Sequence, residues 1–214
     1  MLKLYSFFRS GTSHRLRIAL HLKGIPTSYI PVDLRTEEHL GEAFKTINPQ
    51  GFVPALVDES LVLTQSPAII EWLEEAYPEP ALLPKDINHR AYVRALAAIV
   101  GCHMHPLNNR RILEHLRKQL GQDEVAINAW CTTWITDGFN AFEALLKRHQ
   151  VSGQFCYQDT PGLADVYLIP QVESAKRFKV DLSQWPLIAK IEQNCLALEA
   201  FKKAAPTAQI DAAQ

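Results

Sequence analysis

The sequence predicts an α+β domain followed by an all-α domain. From residue 1 to about 80, short runs of alternating apolar residues, typical of strands, alternate with runs of helical periodicity. From residue 89 to about 203, one helical pattern follows another. Between them, Pro78 to Asn88 contains three prolines and mixed charges, which is typical of a linker. We therefore expect a first domain at residues 1–80 and a second at residues 89–214.

The first half of the N-terminal domain is predicted to form a βαβ unit. Leu2 to Ser6 alternates as a strand does, and an amphipathic helix is expected from Arg15 to Lys23. Gly24 ends this helix, because glycine readily adopts the backbone conformation that terminates helices. Ile30 to Leu34 then has the period of a strand, and Glu37 to Ile47 carries apolar residues on one side of a predicted helix.

The second half of this domain is predicted to form a β-hairpin and a helix. Asn48 to Gly51 is a turn signal, and two short apolar runs, Ala55–Val57 and Leu61–Leu63, follow it. Ser66 is the expected N-cap of the last helix, with Pro67 at its first helical position. The resulting order, β-α-β-α-β-β-α, is that of a thioredoxin-like domain.

About five helices are expected in the second domain. Ala91 to Gly101 is rich in small and aliphatic residues, and bulky apolar residues further along suit the core of a helical bundle. These are Trp130, Trp134, Phe139, Phe142 and Leu146. The Ala- and Gln-rich end from Ala204 is predicted to be frayed.

The overall composition is that of an ordinary globular protein. Hydrophobic residues make up 47%, charged residues 21%, and the formal net charge is −1. This balance favours neither nucleic acid nor membrane as a partner. The sequence starts without the pattern of a signal peptide and contains no apolar run of membrane-spanning length, so we expect a cytoplasmic protein.

The cysteine and histidine spacings predict no metal site. The cysteines form no CxxC pair, and we expect them to be buried, reduced thiols. They are Cys102, Cys131, Cys156 and Cys195. His103 and His105 are two residues apart, and such residues do not share a helix face.

The loop between the first strand and the first helix is the expected place for reactive groups. In a thioredoxin-like domain, the amino end of that helix favours negative charge there. The loop contains Ser10, Thr12 and Ser13 but no cysteine, so a reactive thiolate would have to come from a ligand, for which glutathione is the candidate. The hydroxyl groups of Ser10 and Thr12 would then hydrogen-bond the sulfur. The alternative is that these hydroxyls simply cap the helix.

Two dipeptides are expected to border the same loop. Pro54 opens a central strand, where proline is unusual. In this fold, Val53 before a cis proline offers its backbone to a bound peptide. Gln65 and Ser66 lie at the start of a helix, where backbone donors suit a carboxylate.

A set of motifs spread over nearly the whole chain resembles one family. In the first domain they are Tyr5–Ser10, Arg15–Leu20, Asn48–Pro49, Val53–Leu56, Gln65–Ser66 and Ile69–Glu71; in the second they are Gly138–Ala141, Ala164–Asp165, Pro170–Val172 and Arg177–Leu182. Together they resemble the zeta class of glutathione transferases, which includes maleylacetoacetate and maleylpyruvate isomerases.

The resemblance implies roles for individual residues. It implies that Ser10 lies nearest the glutathione sulfur and that Val53, with Pro54, pairs its backbone with the cysteinyl part. Gln65 and Ser66 would hold the γ-glutamyl end. It also implies that glutathione is a regenerated cofactor, that the substrate is a small dicarboxylate and that the protein is a homodimer.

The sequence departs from the family pattern in three places. Ser10-Gly11-Thr12 replaces a Ser-Ser-Cys signature, which leaves Thr12 to share the role of the second hydroxyl. His105 replaces a glutamine; we assign it to the cofactor-binding set, although its side chain can face either cleft or solvent. Gly162, rather than serine or threonine, precedes Ala164-Asp165, and Asp165 is predicted to cap the start of a helix.

The implied reaction is a cis–trans isomerisation by reversible thiolate addition. The arginines of this chain favour a compact, doubly charged substrate, so we expect maleylpyruvate as substrate and fumarylpyruvate as product. Arginine binds carboxylates with its planar fork, so Arg9, Arg110 and Arg177 are the expected substrate ligands, with Arg111 less favoured. Arg9 and Arg177 would also stabilise charge during catalysis. His14 and His103 are interpreted as structural.

Three alternatives remain open from the sequence. One is maleylacetoacetate as substrate, and another is irreversible conjugation of glutathione to hydrophobic electrophiles. The third is a non-catalytic module of the same fold that binds a protein partner.

Overall fold

The computed structural model describes residues 1–212. Contacts between Cα atoms divide the chain into two compact units. The first comprises Met1–Leu82 together with the chain from Leu196 onward, and the second comprises Leu83–Cys195. The domain prediction instead includes the C-terminal segment in the second domain. Ala213 and Gln214 of that segment lie outside the described residues.

A four-stranded mixed sheet forms the centre of the first unit. Its strands lie in the order β2-β1-β3-β4. β1 (Leu2–Ser6) is parallel to β2 (Thr27–Pro31) and antiparallel to β3 (Ala55–Val57). β4 (Val62–Thr64) is antiparallel to β3 at the edge of the sheet. This arrangement confirms the predicted thioredoxin-like sheet.

The second strand lies three residues earlier than predicted. Leu2 of β1 pairs with Thr27, and the register ends at Ser6 opposite Pro31. Val32 donates one further backbone hydrogen bond to Ser6, and Asp33 then accepts the N–H of Arg35 in a turn. The apolar alternation that predicted a strand from Ile30 to Leu34 therefore continues past the point where pairing stops.

Two helices of the first unit differ from their predicted bounds. α1 (Gly11–Leu22) begins four residues before Arg15, because the Ser10 side chain caps it by accepting the Ser13 N–H at 3.2 Å. The predicted helix from Glu37 to Ile47 was wrong. A 3₁₀ turn at Glu38–Leu40 and the single turn α2 (Glu42–Lys45) replace it, separated by Gly41 in an extended conformation.

The next helix, α3 (Ser66–Ala76), starts where predicted but has a different cap. Gln65 is its N-cap, with a positive φ of 68°, and Ser66 is the first helical residue. Pro67 follows in the first turn, where its missing N–H needs no partner. The prediction of Ser66 as the N-cap was therefore wrong by one residue.

The second unit contains six α-helices within the described residues. They are α4 (Ile87–Ala98), α5 (His105–Asn108), α6 (Arg110–Lys118), α7 (Glu124–His149), α8 (Leu163–Arg177) and α9 (Pro186–Ala197), the last of which extends two residues into the first unit. A π-helical segment, Ile99–Met104, joins α4 to α5. It packs against α7, because Gly138 leaves room for the Met104 side chain.

The start of α8 confirms the predicted capping role of Asp165. Gly162 is the N-cap, and its N–H donates to Asp165 Oδ2 at 2.9 Å. Asp165 Oδ1 also accepts the N–H of Cys156 at 2.9 Å. The carboxylate is 1% exposed and is engaged inside the unit, as expected of a structural residue.

Two sequence predictions are corrected by burial. Cys102 is exposed, whereas Cys131, Cys156 and Cys195 are buried as expected, and all four are free thiols. Between residues 204 and 212 the chain is not frayed: after α10 (Glu199–Ala204), which packs against α1, it forms a 3₁₀ turn and buries Asp211. Within the described residues, no helix combines the length and the apolar character needed to cross a membrane.

Candidate active site

Two hydroxyl groups and a backbone carbonyl are joined at the start of α1. Ser10 Oγ lies 3.0 Å from Thr12 Oγ1, and Thr12 Oγ1 donates to the Val53 carbonyl at 2.9 Å. Because Thr12 uses its proton on Val53, its oxygen accepts the proton of Ser10. The Ser10 hydroxyl can rotate and give this proton to a ligand atom instead.

The electrostatics of this loop suit an anion. The first four backbone N–H groups at the amino end of a helix lack intrahelical partners, and the helix dipole adds partial positive charge. The first turn of α1 contains no acidic residue. A ligand thiolate at this point would meet donors and no fixed negative charge of that turn.

Val53 and Pro54 lie next to this hydroxyl pair. Their peptide bond is cis, as the sequence analysis expected, and both residues are buried at the start of β3. The Thr12 hydrogen bond ties the Val53 carbonyl to α1. The loop before α1 and the segment before β3 are thus held together by side-chain contacts within the first unit.

The amino end of α3 carries a buried hydroxyl that has no partner among residues 1–212. Ser66 is 2% exposed, and its Oγ makes no hydrogen bond with the described residues. A buried polar atom without a partner is costly, so this atom fits a ligand group such as a carboxylate. The helix is 11 residues long, and its free N–H groups add to the attraction of an anion.

Gln65 and Gln50 form an exposed pair beside Ser66. The Gln65 side-chain amide donates to the side-chain oxygen of Gln50. Gln65 is one of the predicted site residues, whereas Gln50 was predicted only as part of a turn. A polar residue directly before the buried Gly51 was the available signal for Gln50.

The predicted substrate arginines fall in both units. Arg9 is exposed beside Ser10 in the first unit, whereas Arg110 and Arg177 are exposed in the second. Arg110 is the first residue of α6, and Arg177 is the last residue of α8, where its Nη2 donates to Ser174 Oγ at 3.3 Å. Within the first unit, hydrogen bonds join Ser10, Thr12 and Val53, and the pairing of Ala55 with Thr64 brings the segments that contain Pro54 and Gln65 side by side.

His105 lies in a closely connected segment of the second unit. It is partly buried at the start of α5, directly after the π-helical segment. Asn109 follows α5 and caps α6 by accepting the Ile112 N–H at 3.2 Å, while its own amide donates to the Pro106 carbonyl at 2.9 Å. These bonds fix the course of the chain from His105 to Arg110.

The remaining histidines of the prediction differ in burial. His14 is 4% exposed, and burial holds the pKa of its imidazole well below the usual value, so it is neutral at neutral pH. His103 is exposed. Over residues 1–212, no group of three or more His, Cys, Asp or Glu side chains is placed to bind a metal ion.

Comparisons with known proteins identify the family. Residues 9–76 match the family described as glutathione S-transferase, N-terminal domain. A maleylpyruvate isomerase from Ralstonia sp is 63% identical over 212 residues, covering 99% of this chain and 100% of that protein.

Solved structures agree with this relationship. A holo structure of a maleylpyruvate isomerase, described as a bacterial glutathione transferase of the zeta class, has a TM-score of 0.96 at 64% identity and covers 98% of this chain and 99% of that one. A maleylacetoacetate isomerase from Anaeromyxobacter dehalogenans, crystallised with dicarboxyethyl glutathione and citrate in its active site, has a TM-score of 0.88 at 38% identity, covering 99% and 94%. Such similarity over the full length means that this chain belongs to the zeta class of glutathione transferases.

Proposed function

We propose that this protein is a glutathione-dependent cis–trans isomerase that converts maleylpyruvate to fumarylpyruvate. The observation that carries the proposal is the hydroxyl pair of Ser10 and Thr12 at the amino end of α1, in a loop without a cysteine. These hydroxyls suit a thiolate, and the loop itself has no cysteine that could supply one. Glutathione is the thiol that this family uses.

The residues of the first unit fit glutathione. The buried, unpartnered Ser66 hydroxyl and the N–H groups of α3 suit the γ-glutamyl carboxylate, with Gln65 beside them. Val53, before the cis Pro54, offers its backbone to the cysteinyl part. The Ser10 hydroxyl is left nearest the sulfur, and Thr12 orients it.

When bound, glutathione supplies a sulfur nucleophile that adds to the conjugated double bond, permits rotation and leaves again. A free thiol of pKa about 8.5 is only a few per cent ionised at neutral pH. Ser10 and the α1 N–H groups favour the ionised sulfur because they donate hydrogen bonds to its negative charge. If the pKa of the thiol falls by roughly one to two, a large fraction of the sulfur is ionised and therefore nucleophilic. The role of the protein at this point is to keep a negative charge in place.

The arginines are proposed to hold the two carboxylates of the substrate. Arg9 lies beside Ser10, and Arg110 and Arg177 stand at helix ends of the second unit. Each guanidinium presents parallel N–H donors that match a carboxylate. Arg9 and Arg177 also stabilise the negative charge that addition of sulfur places on the substrate oxygen.

The test compares kcat/KM for maleylpyruvate and maleylacetoacetate. Loss of each substrate is measured by its ultraviolet absorbance, with and without glutathione. We expect the shorter maleylpyruvate to be preferred.

Arg177→Ala should lower kcat/KM by about 10- to 100-fold, because it removes hydrogen bonds to a charged group. Arg148→Ala, at an exposed residue near the end of α7, is the control. A clear preference for maleylacetoacetate would replace the proposed substrate, and an unchanged rate in Arg177→Ala would remove the role of that residue.

We also propose that the protein is a cytoplasmic homodimer. The family resemblance supports the dimer, and the need for reduced glutathione supports the cytosol, where glutathione is kept reduced. Light scattering after size exclusion tests the dimer, since the measured mass should be twice that of the chain. A monomer mass would contradict it.

A further inference from the structure

The C-terminal segment reaches the loop that carries Ser10. Asp211 is 4% exposed, and its Oδ2 accepts the backbone N–H of Phe8 at 3.0 Å. Its Oδ1 accepts the hydroxyl of Tyr29 at 2.8 Å. All of these residues belong to the first unit. Hydrogen bonds to a carboxylate are stronger than neutral ones, so Asp211 is a firm anchor for the Phe8 backbone.

Arg17 makes a second connection between the same two segments. It is 2% exposed, and its Nε donates to the carbonyl of Ala204 at 2.9 Å. Its two terminal nitrogens donate to the carbonyls of Phe7 at 3.4 Å and Phe8 at 3.0 Å. The guanidinium is a rigid fork, so it fixes the distance between the end of α10 and the loop before α1.

These contacts continue to Ser10. The Phe7 carbonyl, which Arg17 binds, also accepts the N–H of Ser10 at 3.0 Å. Phe8 has its N–H on Asp211 and its carbonyl on Arg17, so the peptide groups on both of its sides are held. The Phe7 and Phe8 rings pack edge to face at 4.8 Å, with the Arg35 guanidinium 5.9 Å and 5.8 Å from them.

Arg17 and Tyr29 each keep a single protonation state at neutral pH. Burial lowers the pKa of Arg17 to about 10, while Tyr29 and Asp211 oppose that change, so the guanidinium remains charged. Burial also raises the pKa of Tyr29, which therefore keeps the proton that it donates to Asp211. The hydrogen bonds that Arg17 and Tyr29 donate therefore persist at neutral pH, where the thiolate reacts.

We propose that Asp211 and Arg17 are positioning residues, through which the C-terminal segment sets the backbone of Phe7–Ser10 and hence the place of the Ser10 hydroxyl. The catalytic consequence rests on the proposed function, whereas the restraint on the loop does not. Misplacement of a reacting group by about 1 Å can cost on the order of 100-fold in rate. Asp211 and Arg17 thus affect the rate through the position of Ser10, without touching the substrate.

The first test uses the unaltered protein without ligand. Amide hydrogen exchange measured by NMR should show Phe8 and Ser10 exchanging as slowly as Leu4 of β1, although they lie in a loop. Exchange at the rate of an exposed turn residue such as Glu59 would overturn the proposal. Neither substrate nor a variant is required.

The second test uses variants of the tail. Asp211→Ala should speed exchange at Phe8 and Ser10 by at least about tenfold while Leu73 of α3 changes less than about twofold. Binding of glutathione, measured by calorimetry, should weaken about tenfold, and kcat/KM should fall about 10- to 100-fold. Asp211→Asn, which keeps an acceptor for the Phe8 N–H, should restore part of each loss.

Glu199→Gln is the matched control, because it removes one negative charge from an exposed position of the same tail. It should leave exchange, affinity and rate unchanged. Equal effects of Glu199→Gln and Asp211→Ala, or faster exchange throughout the unit rather than in the loop, would contradict a positioning role. If the chain proved to have no isomerase activity, exchange and calorimetry would still decide whether the tail orders the loop.

Discussion

At the scale of single residues, Ser10 combines two tasks. Its oxygen accepts the Ser13 N–H and so caps α1, and its proton is available for Thr12 or for a ligand. Capping uses a lone pair and donation uses the hydrogen, so one hydroxyl performs both. A substitution that removes the hydroxyl therefore affects stability and catalysis through different atoms.

Two substitutions of Ser10 separate these tasks. Ser10→Ala should lower the free energy of unfolding by about 1 kcal/mol, whereas Ser10→Gly should cost only a few tenths, because glycine is tolerated at an N-cap. Both lack the donor, so kcat/KM should fall by about 10- to 100-fold in each. Urea unfolding and steady-state kinetics provide the two readouts. Activity that followed stability, with Ser10→Gly close to the parent, would show that the hydroxyl serves only as a cap.

Ser66 offers the opposite balance between stability and binding. Since its buried Oγ has no protein partner, Ser66→Ala should leave the stability of the free protein unchanged or raise it by up to about 2 kcal/mol. Glutathione affinity, measured by calorimetry, should nevertheless weaken about tenfold. Tyr92→Phe is the control, because Tyr92 also has a buried hydroxyl without a partner but lies in the second unit. It should not alter glutathione binding; a tight complex with Ser66→Ala would argue against the assigned carboxylate site.

The residues of the site were predictable to different degrees. The hydroxyl pair and the proline after Val53 follow from local sequence in a thioredoxin-like frame. The left-handed backbone of Gln65 does not, because glutamine has no preference for positive φ. The pairing of Gln65 with Gln50 depends on that conformation and on contacts between distant segments, which a single sequence does not reveal.

At the scale of elements, periodicity predicted the strands and long helices better than their ends. The apolar spacing from Glu37 to Ile47 is helical, yet Gly41 takes an extended conformation and interrupts it. Glycine inside a helix costs about 1 kcal/mol. The helix is therefore weak at Gly41, and tertiary contacts decide whether it continues. The π-helical segment Ile99–Met104 has no sequence signal of its own, and it directly precedes His105.

The contact between α7 and the π-helical segment can be tested with Gly138. A Cβ at this position would overlap the Met104 side chain, so Gly138→Ala should destabilise the protein by about 1–3 kcal/mol despite the higher helix propensity of alanine. In a Met104→Ala background the same change should be neutral or stabilising, because the overlap is gone. Urea unfolding of the four proteins gives the coupling free energy. Additive effects would show that Met104 is not what requires the glycine.

At the scale of the whole molecule, the first unit is built from both ends of the chain. The sequence correctly indicated an α+β part and a helical part. It did not indicate that the chain from Leu196 returns to the first unit, since Asp211 and Phe8 are separated by 203 positions. An Ala- and Gln-rich end has the composition of a frayed terminus, and its part up to residue 212 is ordered by tertiary partners such as Phe8 and Tyr29.

The central claim is that the reactive sulfur comes from glutathione and is returned unchanged. The most direct measurement is turnover of maleylpyruvate in the presence of far less glutathione than substrate. Fumarylpyruvate and free thiol are both quantified at the end. The account predicts complete conversion with all of the thiol recovered. Loss of one thiol for each substrate consumed, or the same rate without glutathione, would contradict it.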